Sequence, residues 1–285
     1  MRKIELEQGS PEWLLWRKGL ITATEAGSIM GVNPYCTVYK SWQRKLGLVS
    51  EQAETEPMRR GKRDEPIARD LFNKQHGIEM VPCCIESEQY NFLGASLDGL
   101  SPCGKYLLEI KSQSPHYIES RGIPEYHMAQ MQHQMLCSDG MIQGGFYVSH
   151  FEGKNLVYEI QQDSTWMKSY LEKAAEYWKC VVFFEAPEMS SKDYKSMECD
   201  LAWASSASHY RRICAQIKDL EEQKEKHRKD LIAISGNENC FGSGVKVTQS
   251  IMKGRIDYDL IHDLKNIDLE QYRKPRTISW KVLCS

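Results

Sequence analysis

Two short apolar segments separated by a tight turn constrain this chain more than any other feature. Gly94-Ala95-Ser96-Leu97-Asp98-Gly99 precedes Ser101-Pro102-Cys103-Gly104, and Tyr106-Leu107-Leu108-Glu109-Ile110-Lys111 follows it. Proline and glycine at those positions are turn chemistry, so the two segments are predicted to form a hairpin. Side chains alternate along a strand, which puts Glu109 and Lys111 on one face and sends Ile110 into the core on the other. The same hairpin can carry Asp98 to the side of Glu109. Two carboxylates on one pleated surface repel each other, and a divalent cation relieves that repulsion. Magnesium, a hard ion preferring carboxylate and water oxygen, suits such a pair, and Lys111 beside it could orient or deprotonate an attacking water.

The surrounding pattern alternates helices and strands. Ser10 followed by Pro11 predicts a helix start, ended by Gly19. Thr22-Ala23-Thr24-Glu25 has the form of a capping box, which predicts a second helix from about residue 22 to Gly31. A longer helix is expected over 57–76, stopped by Gly77, with further helices over 124–136 and 164–185. Strands are expected over 80–86, 92–97, 106–111, 145–150 and 155–161. This mixture predicts an α/β (α+β) domain over residues 1–190, a mixed central sheet flanked by helices. Residues 191–285 differ in character and are read as a C-terminal extension, helical with a small β element. Tyr210, Ile213, Ile217, Leu220, Leu231 and Ile234 recur at heptad spacing, interrupted by Lys224 and His227. The spacing favours an amphipathic helix packed on its own domain over a coiled coil.

Composition bounds the partners. The formal net charge is −2, so there is no general attraction for polyanions and any nucleic-acid contact needs a local patch. Arg59-Arg60-Gly61-Lys62-Arg63 is the densest candidate. The 10 cysteines contain no C-x-x-C pair, which argues against zinc and against an iron–sulfur cluster. No apolar run approaches the roughly 18 residues that span a bilayer. With a mixed-charge N-terminus, the chain is expected to be cytoplasmic (bacterial host cytoplasm if phage-encoded) and free of membrane contact.

Four segments, in order, carry a resemblance. Trp13…Arg17-Lys18-Gly19-Leu20-Ile21-Thr22-Ala23-Thr24, then Gly61-Lys62-Arg63-Asp64-Glu65, then Ser96-Leu97-Asp98-Gly99 with Glu109-Ile110-Lys111, then Met128-Ala129-Gln130-Met131-Gln132. Over about residues 10–190 they resemble the YqaJ-type viral recombinase family, a branch of the restriction-endonuclease-like PD-(D/E)XK nucleases. The resemblance implies a restriction-endonuclease-like core and a 5′-to-3′ exonuclease acting on double-stranded DNA ends to leave 3′ single-stranded tails. It implies Mg2+ (or Mn2+), two ions per site, held by Asp98, Glu109, Glu65 and the Ile110 carbonyl, with Lys111 and Gln130 completing the catalytic set. Arg17 corresponds to the arginine that holds the 5′ phosphate of the DNA end. Thr24, where the family has serine, together with Thr22 and Arg63, completes the expected DNA-binding set, and a helix N-terminus at Thr22 favours an anion there. The family also implies a ring-shaped homotrimer and a single-strand annealing protein as partner. Leu97 stands where the family often has proline. The rival readings are a structure-specific endonuclease of the same fold and a non-catalytic DNA-end binding protein. His127 and His133, flanking Gln130, are expected in structural or DNA-backbone roles, because magnesium seldom uses imidazole.

Overall fold

The computed structural model describes residues 1–50, 55–236 and 238–248. The chain divides into two units, Met1–Lys195 and Ser196–Ser285. Among the described residues, no helix is long and apolar enough to cross a membrane.

The first unit is built on one six-stranded sheet in sequence order: β1 (Arg2–Ile4), β2 (Val81–Glu86), β3 (Gly94–Leu100), β4 (Tyr106–Lys111), β5 (Gly144–Phe151) and β6 (Lys154–Gln161). All neighbours are antiparallel except β4 and β5, which run parallel, so the sheet is mixed as expected. The hairpin between β3 and β4 closes as the turn residues require. Gly104 takes φ 71, and the Ser101 hydroxyl accepts from the Tyr106 amide at 3.0 Å.

The first two helices begin at side-chain caps. Helix α1 (Pro11–Lys18) starts at Ser10, whose hydroxyl accepts from the Trp13 amide at 3.1 Å. Helix α2 (Ala23–Ile29) starts at Thr22, whose amide donates to the Glu25 carboxylate at 2.7 Å. Helix α3 is Val38–Lys45, and α4 (Glu56–His76) ends on Gly77 in the left-handed region at φ 64. The parallel crossover from β4 to β5 carries α5 (Pro115–Arg121) and α6 (Glu125–Leu136), and α7 is Ser164–Val182. Helix α4 packs on one face of the sheet, where Ala68 and Phe72 meet Leu108, Ile110 and Val148. The larger core, with Ile21, Leu107, Met131 and Tyr170, lies on the other face under α2, α6 and α7. Ile110 thus points into the core away from Glu109, as the strand period predicts. Helices α2 and α6 approach closely at Gly27, where a methyl group would sit 2.8 Å from Tyr126 Cβ.

Two buried histidines lock α6 to its surroundings. The His133 Nε2 donates to the Gly94 carbonyl at 3.0 Å, which leaves Nδ1 to accept from the Tyr170 hydroxyl at 2.5 Å. His127 Nδ1 lies 3.0 Å from the Tyr147 hydroxyl. Of the two roles expected for them, the structure shows the structural one. Burial pushes His127 down to about 3 and His133 down to about 4. The folded state therefore keeps both rings neutral, while the unfolded chain takes up protons below about pH 6.5. Above that pH they contribute no pH dependence; below it, stability is lost as pH falls toward the folded values. Each ring is expected to cost about 2 kcal/mol at pH 5. In urea titrations, His127→Phe should lose about 2 kcal/mol less than wild type between pH 7 and pH 5. An identical loss in both proteins would mean the native ring is already protonated.

In the second unit, α8 (Leu201–Ile234) begins at the Asp200 cap, whose carboxylate accepts from the Trp203 amide at 2.9 Å. No residue of α8 is buried among the described residues, and what would complete its own unit beyond residue 248 lies outside them. Leu220 is 61% and Ile234 81% exposed. A short hairpin, β7 (Cys240–Gly242) with β8 (Val245–Val247), follows. Among the elements that the sequence pattern does not mark are β1, too short for a period, and α3 and α5, which follow the Thr37 cap and Ser114-Pro115.

Candidate active site

The site forms where β3 and β4 lie side by side. Their register pairs Gly99 with Leu108, so Asp98 comes level with Glu109 one step along. Asp98 Oδ2 accepts from the Ile110 amide at 2.8 Å, which fixes the carboxylate against β4. Glu109 is fully buried, and both its oxygens are engaged. Oε1 accepts from the Lys111 ammonium and, at 2.5 Å, from Gln130 Nε2; Oε2 accepts from Gln134 Nε2 at 2.6 Å. Gln130 and Gln134 stand one turn apart on α6, so one helix face supplies two donors to one carboxylate.

Electrostatics follow from this crowding. Burial, and then the neighbouring Glu109, hold the Asp98 carboxyl well above the usual carboxylate range. Burial alone would lower Lys111, but Glu109 and Asp98 outweigh it and raise the lysine, keeping it cationic.

Helix α4 delivers Glu65 to the same cleft. Its Oε1 accepts from Arg69 Nη1 at 2.9 Å, and the same nitrogen donates to the Asp98 carbonyl at 2.8 Å. Arg69 thereby ties α4 to the strand that carries Asp98. Among the described residues, no three His, Cys, Asp or Glu side chains form a ready-made metal cluster. Asp98 and Glu109 are brought together, and Glu65 sits at the same cleft, turned to Arg69. A second tie joins α4 to the end of β4: Arg60 Nε donates to Ser112 Oγ at 3.0 Å, and Ser112 donates to Asp64 at 2.5 Å.

The other wall is made by α1 and the start of α2. The Arg17 guanidinium lies 4.4 Å from the centre of the Trp13 ring. It donates to Thr24 Oγ1 at 2.9 Å and to Thr22 Oγ1 at 3.3 Å. Burial lowers the Arg17 pKa, against the raising influence of Glu25. Among the described residues no carboxylate forms an ion pair with Arg17, since Glu25 is taken by Lys45 at 2.8 Å.

One cleft of about 500 Å³ unites these groups; Arg17, Thr22 and Thr24 line it together with Glu65, Asp98, Glu109, Lys111 and Gln130. Arg63 does not join them. It is 65% exposed and lies 3.6 Å from the Glu56 carboxylate; Lys62 lines the cleft instead. The sequence names Lys62 only as part of the basic run 59–63, and nothing in it singles out Arg69; Gln134 follows Gln130 at helical spacing, a signal that could have found it.

The fold and this cleft define a class: a mixed sheet with helices on both faces, an aspartate and a Glu-x-Lys on adjacent strands, and a basic wall opposite. The fold is shared with an alkaline exonuclease from Laribacter hongkongensis, LHK-Exo, at TM-score 0.53 and 22% identity, over 61% of this chain and 94% of that one. The structure of LHK-Exo in complex with dAMP matches over the same shares at TM-score 0.52 and 21% identity. Residues 12–140 match the YqaJ-like viral recombinase domain. The uncharacterised protein YqaJ of Bacillus subtilis (strain 168) is 24% identical over 254 residues, 79% of this chain and 80% of its own length.

Proposed function

We propose that this protein is a metal-dependent deoxyribonuclease that degrades one strand of a double-stranded DNA end, 5′ to 3′, leaving a 3′ single-stranded tail. The observation that carries this reading is the shared cleft: Arg17, which among the described residues has no carboxylate ion pair, faces the same space as Asp98, Glu109 and Lys111. An alkaline exonuclease of similar fold and the viral recombinase domain support it.

The donor set fits magnesium or manganese. Asp98 is raised by its burial beside Glu109, the repulsion that a hard cation relieves. Asp98, Glu109 and the Ile110 carbonyl would hold the ion or ions, with Glu65 a further carboxylate at the cleft. Such an ion supplies activation of water and neutralisation of charge on the phosphoryl group. Lys111 donates to the attacking water or to the phosphoryl oxygens, Gln130 holds Glu109 Oε1, and Arg17 with Thr24 binds the terminal phosphate. In the same reading, drawn from the family resemblance, a ring-shaped homotrimer encircles the DNA and a single-strand annealing protein takes up the tail.

Linear and covalently closed duplexes of equal sequence, incubated with the protein and Mg2+, test the reading. The linear DNA should be lost progressively from its ends while the closed circle survives. Cutting of the circle would make the protein an endonuclease; binding to linear ends without digestion would make it an end-binding protein.

A further inference from the structure

The side chain of Gln134 is fully buried on α6 and touches both strands of the site. Its Nε2 donates to Glu109 Oε2 at 2.6 Å and to the Ser96 carbonyl at 3.3 Å. Ser96 lies on β3 two residues before Asp98, so one amide nitrogen spans the strand of Asp98 and the carboxylate of Glu109. The amide has only one sensible orientation there, because its oxygen would otherwise face two acceptors. That orientation leaves Gln134 Oε1 without a hydrogen-bond partner, the one such atom among the buried side chains of the described residues. A residue placed only to fill space would not carry an unsatisfied buried oxygen, since an apolar side chain of the same length fills the space without one.

We propose that Gln134 is a positioning residue of the nuclease centre: by holding the inner oxygen of Glu109 against the strand of Asp98, it turns the outer oxygen toward the cleft for a divalent cation. This rests on the nuclease reading above. Its neighbour Gln130 touches the outer oxygen, so the two glutamines divide the carboxylate between them. Outer partners of this kind set the orientation and charge of the groups that face a metal, and their loss typically weakens metal affinity or activity by about 10- to 100-fold.

The test compares the full-length wild type with Gln134→Met, which keeps length and removes the donor. Mn2+ binding is followed by calorimetry, beside steady-state digestion of linear duplex. Mn2+ affinity is expected to fall about 10- to 100-fold, with kcat reduced and KM for DNA ends near that of wild type. Gln134→Glu, which retains length and polarity but sets carboxyl against carboxylate, should show the same loss and serves if the methionine variant does not fold. A folded variant with wild-type Mn2+ affinity and kcat, changed only in melting temperature, would overturn the proposal and make Gln134 a packing residue. A wild type that neither binds Mn2+ nor digests DNA would instead sink the nuclease reading itself, and the positioning role with it.

Discussion

Replacing Lys111 by alanine is expected to slow Mg2+-dependent digestion of linear duplex DNA by about 10³-fold while leaving binding to DNA ends in Ca2+ intact. The size follows from where the ammonium sits. It is paired with Glu109 at the floor of the cleft, held protonated by two carboxylates despite burial that works the other way. A positive charge fixed at that depth, in an environment poorer in water than the surface, stabilises developing phosphoryl charge far more than an exposed lysine does. Lys111→Arg should recover little, because the planar guanidinium cannot occupy a position shaped for a compact ammonium between Glu109 and the cleft. Binding is expected to be spared because the phosphate contacts proposed above are made by Arg17 and Thr24, which line the cleft on its other wall. Gel-based digestion and a mobility-shift titration read the two effects separately. If the alanine variant retained more than about a tenth of the wild-type rate, Lys111 would lie outside the range expected of a group acting at the reacting centre.

The core of this site was legible because it depends on local rules. Period-two alternation and one hairpin turn place Asp98, Glu109 and Lys111 with no long-range information, and the structure brings all three together. Caps at Ser10 and Thr22 fixed the elements bearing Arg17 and Thr24 for the same reason. What escaped the sequence depends on helix phase and on contacts between distant segments. The cluster 59–63 shows where basic residues are dense but not which of them faces inward. The phase is set later in α4, by buried Ala68 and Phe72, and stepping back from them by turns reaches Glu65 and then Lys62. Arg63 falls off that stripe, which is why it points to solvent. Arg69 is the same case: the stripe places it near Glu65, but its second bond, to the Asp98 carbonyl, joins positions 29 residues apart. In α8 the apolar seam is broken by Lys224 and His227, and no residue of the helix is fully buried among the described residues.

Arg17→Ala is expected to abolish the preference for 5′-phosphorylated ends, lowering their digestion about 10- to 100-fold while 5′-hydroxyl ends are degraded at nearly the wild-type rate. The guanidinium is oriented before any DNA arrives: Trp13 supports one face, and Thr22 and Thr24 accept from one nitrogen. Among the described residues it has no carboxylate ion pair of its own, so an arriving phosphate need not displace one. A hydrogen bond between charged partners contributes about 1.5–3 kcal/mol, which sets the expected range. Thr24→Ser should behave almost as wild type, since the hydroxyl is retained, whereas Thr24→Val should lose part of the preference because the acceptor that aims Arg17 is gone. The measurement is a competition between linear duplexes that differ only in the 5′ group, digested by each variant. The decisive quantity is the ratio of the two rates. Were Arg17→Ala to slow both ends equally, the ratio would be unchanged, and Arg17 would be a general contact to the DNA backbone rather than the group that selects the terminal phosphate.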